Sequence, residues 1–382
     1  MSIMKATYKI GTGLVLLLAL LLVACTADDA NDQKAPQRQL RLSLASSTYQ
    51  SDGTRSNRAL PTGYEVLNVD KAFPKGKDML AFIANSINTS EVLIRRMEYT
   101  TDWQQNISVT DYTNPYCIYG FVPISDDTSD NASISPLSGK TSYADGVSMT
   151  IRNLKPLTVS DPCVIVGIKK WGTSFADTDI KLGAFSYTFN KDETHDKIGM
   201  LLDHLYAKFN FKIAVGANYD ALRTVKVKKM TLEALDASDK VISAVTATVN
   251  IEAKTTGSNP ISSIAFTRTL GDITPYTLYD DTANPLVLQT TPTAITRYCL
   301  APYNQVRFQL TTDYEVYDKP TDTNANPHLL KTHTGVKNKF TAAISSDKKY
   351  PGYEHTITIT VNPTYLQVLS DDDLDTPTIN IN

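Results

Sequence analysis

The chain has 382 residues and a formal net charge of −3; 42% of its residues are hydrophobic and 20% charged. Its 37 basic residues are outnumbered by 40 acidic ones and form no Lys/Arg stripe, which excludes the electrostatic footprint of a nucleic-acid binder. Twenty tyrosines and many Thr and Val favour strands, and beyond residue 24 almost no 3.6-residue periodicity appears, so an all-β chain is expected.

Residues 1–24 read as a secretory signal. Lys5 and Lys9 precede an unbroken apolar run from Leu14 to Ala24, shorter than the roughly 20 residues that a membrane-spanning helix needs. Leu22-Val23-Ala24-Cys25 resembles the bacterial lipobox, which makes Cys25 the expected lipid-attachment residue and the mature N-terminus. Removing the signal takes away two lysines and no acids, so the charge becomes −3 − 2 = −5. Asp28, Asp29 and Asp32 resemble an acidic surface-export tag and equally suit a solvated tether. The remaining 382 − 24 = 358 residues suit two domains better than one.

Residues 25–58 form the next stretch, a pro-segment only if the chain is cut after it. Within it Gln39 to Leu44 alternates Leu40, Leu42 and Leu44 against Arg41 and Ser43, the pattern of a short strand with one apolar edge. There follows SSTYQSDGTRSNRALPTG, a loop composition of the kind proteases cut, with Arg55 and Arg58 inside it. On residues alone, a processing site and a plain linker are equally good readings.

Residues 59–199 read as the first β-sandwich, with strands at Met79–Ala84, Val92–Met97, Cys117–Val122, Val147–Ile151, Cys163–Ile168 and Phe185–Phe189, punctuated by turn residues. Asp126, Asp127 and Asp130 lack the spacing of a calcium loop, so a solvated turn is expected. Gly139-Lys140-Thr141 fails as a phosphate loop because Ile134 stands where that motif needs Gly.

Residues 200–382 read as a second sandwich. Asn190 to Lys197 is polar enough that it is expected to stay outside any core, and Leu201 to Tyr206 makes one helical turn at most. Leu205, Ala207, Phe209, Phe211 and Ile213 then alternate with Tyr206, Lys208, Asn210 and Lys212, a strand with one buried and one wet face. Further strands are expected at Val225–Leu235, Val241–Ile251, Ile261–Leu270, Thr296–Leu300, Gln305–Val316 and Thr356–Val361. The end, LSDDDLDTPTININ, combines an acidic connector with a last alternation at Ile379 and Ile381.

No catalytic or metal-binding pattern emerges. The histidines at 195, 204, 328, 333 and 355 form no H-E-x-x-H, and there is no Cys-x-x-Cys or G-x-S-x-G. No enzyme, cofactor or metal is expected, and His204 is expected to be structural. Cys117 and Cys163 are able to pair in an oxidising compartment, but their apolar strand settings favour free thiols.

Several short pieces carry a family resemblance. His204-x-x-Ala207-Lys208 with Phe209 and Phe211 resembles the central signature of the fimbrillin (Mfa-like) family of Bacteroidales pilus lipoproteins. Tyr119 to Pro123, Ser160-Asp161 ahead of Cys163–Ile168, Ala301-Pro302 ahead of Val306–Leu310, and Tyr353–Val361 agree with it in order along the chain. The resemblance implies two tandem transthyretin-like (Ig-like) Greek-key sandwiches and an outer-membrane lipoprotein precursor. It further implies that an Arg-specific protease removes the N-terminal strand, so that a strand of another fimbrial subunit takes its groove. Arg58 is then the expected cut and Arg55 the second choice. Leu40, Leu42 and Leu44 belong to the releasable strand, and Ile379 and Ile381 to the donor. A shaft or tip subunit with a host or bacterial surface ligand is the resulting expectation. The alternative is a surface glycan-binding lipoprotein with Trp103 and Trp171 as sugar platforms.

Overall fold

The computed structural model describes residues 37–44, 76–124, 132–172, 180–254, 260–320, 326–344, 349–362 and 378–381. The chain is nearly all β. In chain order the strands before residue 205 are β1 (Gln37–Leu44), β2 (Met79–Asn85), β3 (Val92–Tyr99), β4 (Trp103–Ser108), β5 (Tyr116–Val122), β6 (Ala132–Pro136), β7 (Gly146–Leu154), β8 (Cys163–Lys170), β9 (Ser186–Tyr187) and β10 (His195–His204). Then come β11 (Tyr206–Val215), β12 (Arg223–Ala234), β13 (Ile242–Glu252), β14 (Ile261–Leu270), β15 (Tyr276–Asp280) and β16 (Leu286–Val287). The last six are β17 (Thr293–Ala294), β18 (Cys299–Pro302), β19 (Arg307–Asp318), β20 (Leu329–Thr341), β21 (Glu354–Asn362) and β22 (Thr378–Ile381).

The first sheet runs β2-β3-β4-β1-β10-β8-β5-β9, and β2 also pairs with β5, so seven strands form a closed circuit of pairings. β2 and β5 are buried along their whole length, which is why MLAFIAN and YCIYGFV read as unbroken apolar runs. Gly120 lets them meet: a Cβ there would stand 2.8 Å from the Leu80 carbonyl oxygen. A four-stranded sheet, β14-β13-β7-β6, shares this core. Val147, Met149 and Ile151 of β7 and Val249 and Ile251 of β13 are buried in one cluster with Phe82, Ile118 and Phe121.

The second core lies between the sheet β17-β11-β21-β22, with β18 also on β11, and the sheet β15-β12-β19-β20, with β16 also on β12. Phe209, Phe211 and Ile213 of β11 are buried with Val227 and Leu232 of β12 and with Phe308 and Leu310 of β19. The Phe209 and Phe308 rings meet edge-on, centroids 5.4 Å apart. Buried residues change from one cluster to the other between Tyr206 and Ala207. β10 crosses position 199/200 without a break, and β13, from the later half of the sequence, pairs with β7 from the earlier half. The two halves therefore share strands.

Leu201 to Tyr206 makes no helical turn, within the limit expected of it: it spans the end of β10, a bend at Leu205 and the start of β11, which pair with β8 and β18. Several sequence expectations need correction. The Asn190–Lys197 stretch does enter a core: Asp196 is 1% exposed. On β11 the expected wet face is partly covered. Tyr206 and Lys208 are buried, and the Lys208 ammonium lies 4.6 Å from the centre of the Tyr298 ring and 3.5 Å from Glu354. Strand β20 has no apolar alternation to announce it; it is an edge strand, largely exposed, and Lys331, Lys337 and Lys339 blunt its free side.

Candidate strand-acceptor groove

β1 sits inside the first sheet, antiparallel to β4 on one side and parallel to β10 on the other, with six paired residues on each. Its sequence QRQLRLSL alternates, and the inward-facing set begins at Arg38, two residues before the first leucine. Arg38, Leu40 and Leu42 point to the core and are 3%, 0% and 0% exposed; Leu44 is half-buried. Leu42 lies opposite Trp103 and Ile198, and Leu44 opposite Met200. The three expected leucines thus do share one edge, buried most completely at its centre.

At the inner end of that edge, Arg38 Nε donates to Asp196 Oδ2 at 2.5 Å, and Arg38 NH1 donates to the Asn190 carbonyl at 3.0 Å. The Tyr187 hydroxyl donates to the other oxygen of Asp196 at 2.6 Å. The guanidinium carbon stands 4.9 Å from the centre of the Phe189 ring, which packs edge-on against Tyr187 and Tyr116. Burial and the neighbouring Asp196 carboxylate push the Tyr187 phenol far up, so it stays protonated and a donor. On the outer face a second carboxylate reads the strand: Asp102 accepts from Arg41 NH2 and from Ser43 Oγ, both at 2.6 Å.

Arg38, Asp196 and Asp102 were not singled out in the sequence. Arg38 shares the parity of Leu40 and Leu42, which is the signal that would have found it. Asp196 had no such signal, since its burial depends on a partner 158 residues away.

Cys25, Arg55 and Arg58 lie outside the described residues, as do Asp126, Asp127 and Asp130. The terminal segment with Ile379 and Ile381 forms β22, the edge strand antiparallel to β21, with Ile379 opposite Val361 and Ile381 opposite Ile359. It pairs within its own chain, in the second core's sheet and not in the first. Trp103 is 1% exposed, its indole N–H donates to the Lys77 carbonyl at 2.6 Å and its ring meets Tyr99 edge-on; no face is open to a sugar. Trp171 is half-buried, with the Lys197 ammonium 4.6 Å from its ring centre.

His204, a residue of the family-like signature, meets Asp161, from another of its pieces: His204 Nδ1 and Asp161 Oδ2 are 2.5 Å apart, both residues buried. Burial alone would lower the imidazole pKa, but the Asp161 charge and hydrogen bond, with Asp203 behind them, raise it. With Cys163 these groups make the metal-ligand-type cluster found among the described residues, their ligand atoms within 4.8 Å. Burial, then the Asp161 and Asp203 charges, push the Cys163 thiol well up. The arrangement is a buried ion pair, the structural role expected of His204. Cys117, Cys163 and Cys299 are free and buried, and burial pushes the Cys117 thiol up to about 11.

No protein-family model and no curated protein matches the sequence. Among solved structures, a fimbrial protein from Bacteroides vulgatus is 13% identical with a TM-score of 0.40, over 90% of this chain and 98% of that one. A protein from Parabacteroides distasonis described as a putative cell adhesion protein is 8% identical with a TM-score of 0.36, over 91% and 99%. Proteins from Bacteroides thetaiotaomicron described as putative polysaccharide binding proteins give 6% and 0.28, over 85% and 91%. Alignments at TM-scores this low carry no argument about function; the groove has to supply it.

Proposed function

We propose that the chain is a surface-exported lipoprotein subunit, a shaft or tip component, of an adhesive fimbrium. In this reading Cys25 anchors the precursor to the outer membrane, an Arg-specific protease cuts after Arg58 or Arg55, and β1 gives up its place to a strand of another subunit. The observation that carries it is the position of β1. It is an eight-residue strand paired on both sides within a closed circuit, and the sequence that follows it carries Arg55 and Arg58. Taking β1 out opens two edges at once, on β4 and β10, and an inserted strand satisfies both by β-augmentation. A structural subunit needs no catalytic group, so the reading assigns the chain no enzymatic activity.

The test is made on cells expressing the chain. Unboiled gels of surface extracts are expected to show a ladder containing the wild-type protein and none containing the Arg55→Ala/Arg58→Ala variant. A ladder that persists in the double variant overturns the processing step.

A further inference from the structure

The groove that holds β1 carries two carboxylates, one on each face of the strand it binds; apart from β1, Asp196 is met by the Tyr187 hydroxyl and Asp102 by the Lys197 ammonium at 4.0 Å. Asp196 lies inside, 1% exposed, and bonds to Arg38; Asp102 lies on the outer face and bonds to Arg41 and Ser43. Between them the buried positions of Leu40 and Leu42 ask for apolar side chains. A strand that enters without a cation at the position of Arg38 leaves the buried Asp196 carboxylate without a countercharge, with the Tyr187 hydroxyl as its remaining side-chain donor and the Phe189 ring nearby. The cost of an unpaired buried charge then opposes its own hydrophobic gain.

The C-terminal segment of this chain does not meet that requirement in any register. Placing Ile379 and Ile381 at the positions of Leu40 and Leu42 sets Pro377, with no charge and no N–H, at the position of Arg38. Shifting two residues one way puts Asp375 there, a like charge, and two residues the other way puts Ile379 there, with no charge. Residues 363–382 contain no Lys or Arg at all.

We propose that Asp196, seconded by Asp102, makes the groove selective for a basic donor strand. Its signature is Arg or Lys facing Asp196, apolar residues two and four positions later, and a second cation three positions later facing Asp102. The occupant is therefore a strand of a partner subunit with this pattern, and not the acidic tail of a second copy. The inference rests on the strand-exchange reading above.

The test uses the full chain clipped at Arg58 and labelled peptides. One peptide has the sequence of residues 37–44, one is the same with Arg38→Met, and one has the sequence of residues 374–382. The first is expected to enter the groove at least 100-fold more tightly than either of the others. In the Asp196→Asn protein the preference for the first peptide over its Arg38→Met form is expected to fall to less than 10-fold. Because the peptide comparison is made on the unaltered chain, a folding defect in the variant does not shield the proposal. Equal entry of the Arg38 and Met peptides, or tight entry of the tail peptide, overturns the selectivity and leaves strand exchange standing. Entry of no peptide, the first included, overturns strand exchange and the selectivity with it.

Discussion

Arg38 and Asp196 are 158 residues apart in sequence and 2.5 Å apart in space, forming a buried ion pair that ties the N-terminal strand to β10. A pair of this kind contributes little net stability over an apolar substitute, but losing one member leaves an uncompensated buried charge. Arg38→Met alone is therefore expected to destabilise the intact chain by about 3–5 kcal/mol. Arg38→Met/Asp196→Leu is expected to cost clearly less than the single change, even though Tyr187 loses its acceptor. Urea unfolding of the three proteins decides it; a double variant less stable than Arg38→Met contradicts the account.

The leucines of β1 supply its hydrophobic hold. Leu40→Ala and Leu42→Ala each remove a fully buried side chain and are expected to cost about 2–5 kcal/mol. Leu44→Ala, at a half-buried position, is expected to cost less. In the clipped chain the same order is expected in the rate at which β1 dissociates, followed by mass spectrometry of the released segment. Fastest release from the Leu44 variant would contradict the burial order.

Much of this groove was readable in advance, and the part that was not has a definite physical cause. The β1 leucines declare themselves because a strand with one buried face must alternate, and Phe209, Phe211 and Ile213 of β11 do so for the same reason. Ile261–Leu270 matches its expected bounds residue for residue. Asp196 was misread because local polarity argues for solvent, while its actual environment is made by Arg38 and Tyr187 from distant or turned-back segments. The exposed edge strand β20 escaped notice because neither of its faces is uniformly buried. Pairing partners such as β13 with β7 depend on contacts across a hundred residues, which no local pattern records.

His204 and Asp161 give the fold a pH dependence. The folded pKa of His204 is raised, so the pair's contribution is fully present below the unfolded histidine value of about 6.5 and is lost as pH rises through the folded pKa. Stability is thus expected to fall with rising pH from about 6.5 upward, and this decline is expected to vanish in His204→Gln. Thermal melts of both proteins from pH 5 to 9 read it out, and an unchanged slope in the variant would refute the assignment.

Anchoring makes a separate prediction. Cys25, behind the apolar run that ends at Ala24, is expected to carry the lipid. Wild-type cells fed radioactive palmitate should label the protein and Cys25→Ser cells should not; a labelled Cys25→Ser protein would place the acyl group elsewhere.

The claim that β1 must leave its groove for the subunit to assemble is tested most directly by locking the strand in place. Gln39 and Asn106 are directly opposed across the antiparallel pair of β1 and β4. Opposed residues of such a pair have Cα atoms roughly 4.5–5.5 Å apart, within the span of a disulfide. Gln39→Cys/Asn106→Cys, with its bridge verified by mass spectrometry, keeps β1 bound even after the loop is cut. The account predicts that surface ladders contain each single-cysteine variant and exclude the bridged double variant. Bridged protein incorporated into the ladder as well as the wild type would contradict it.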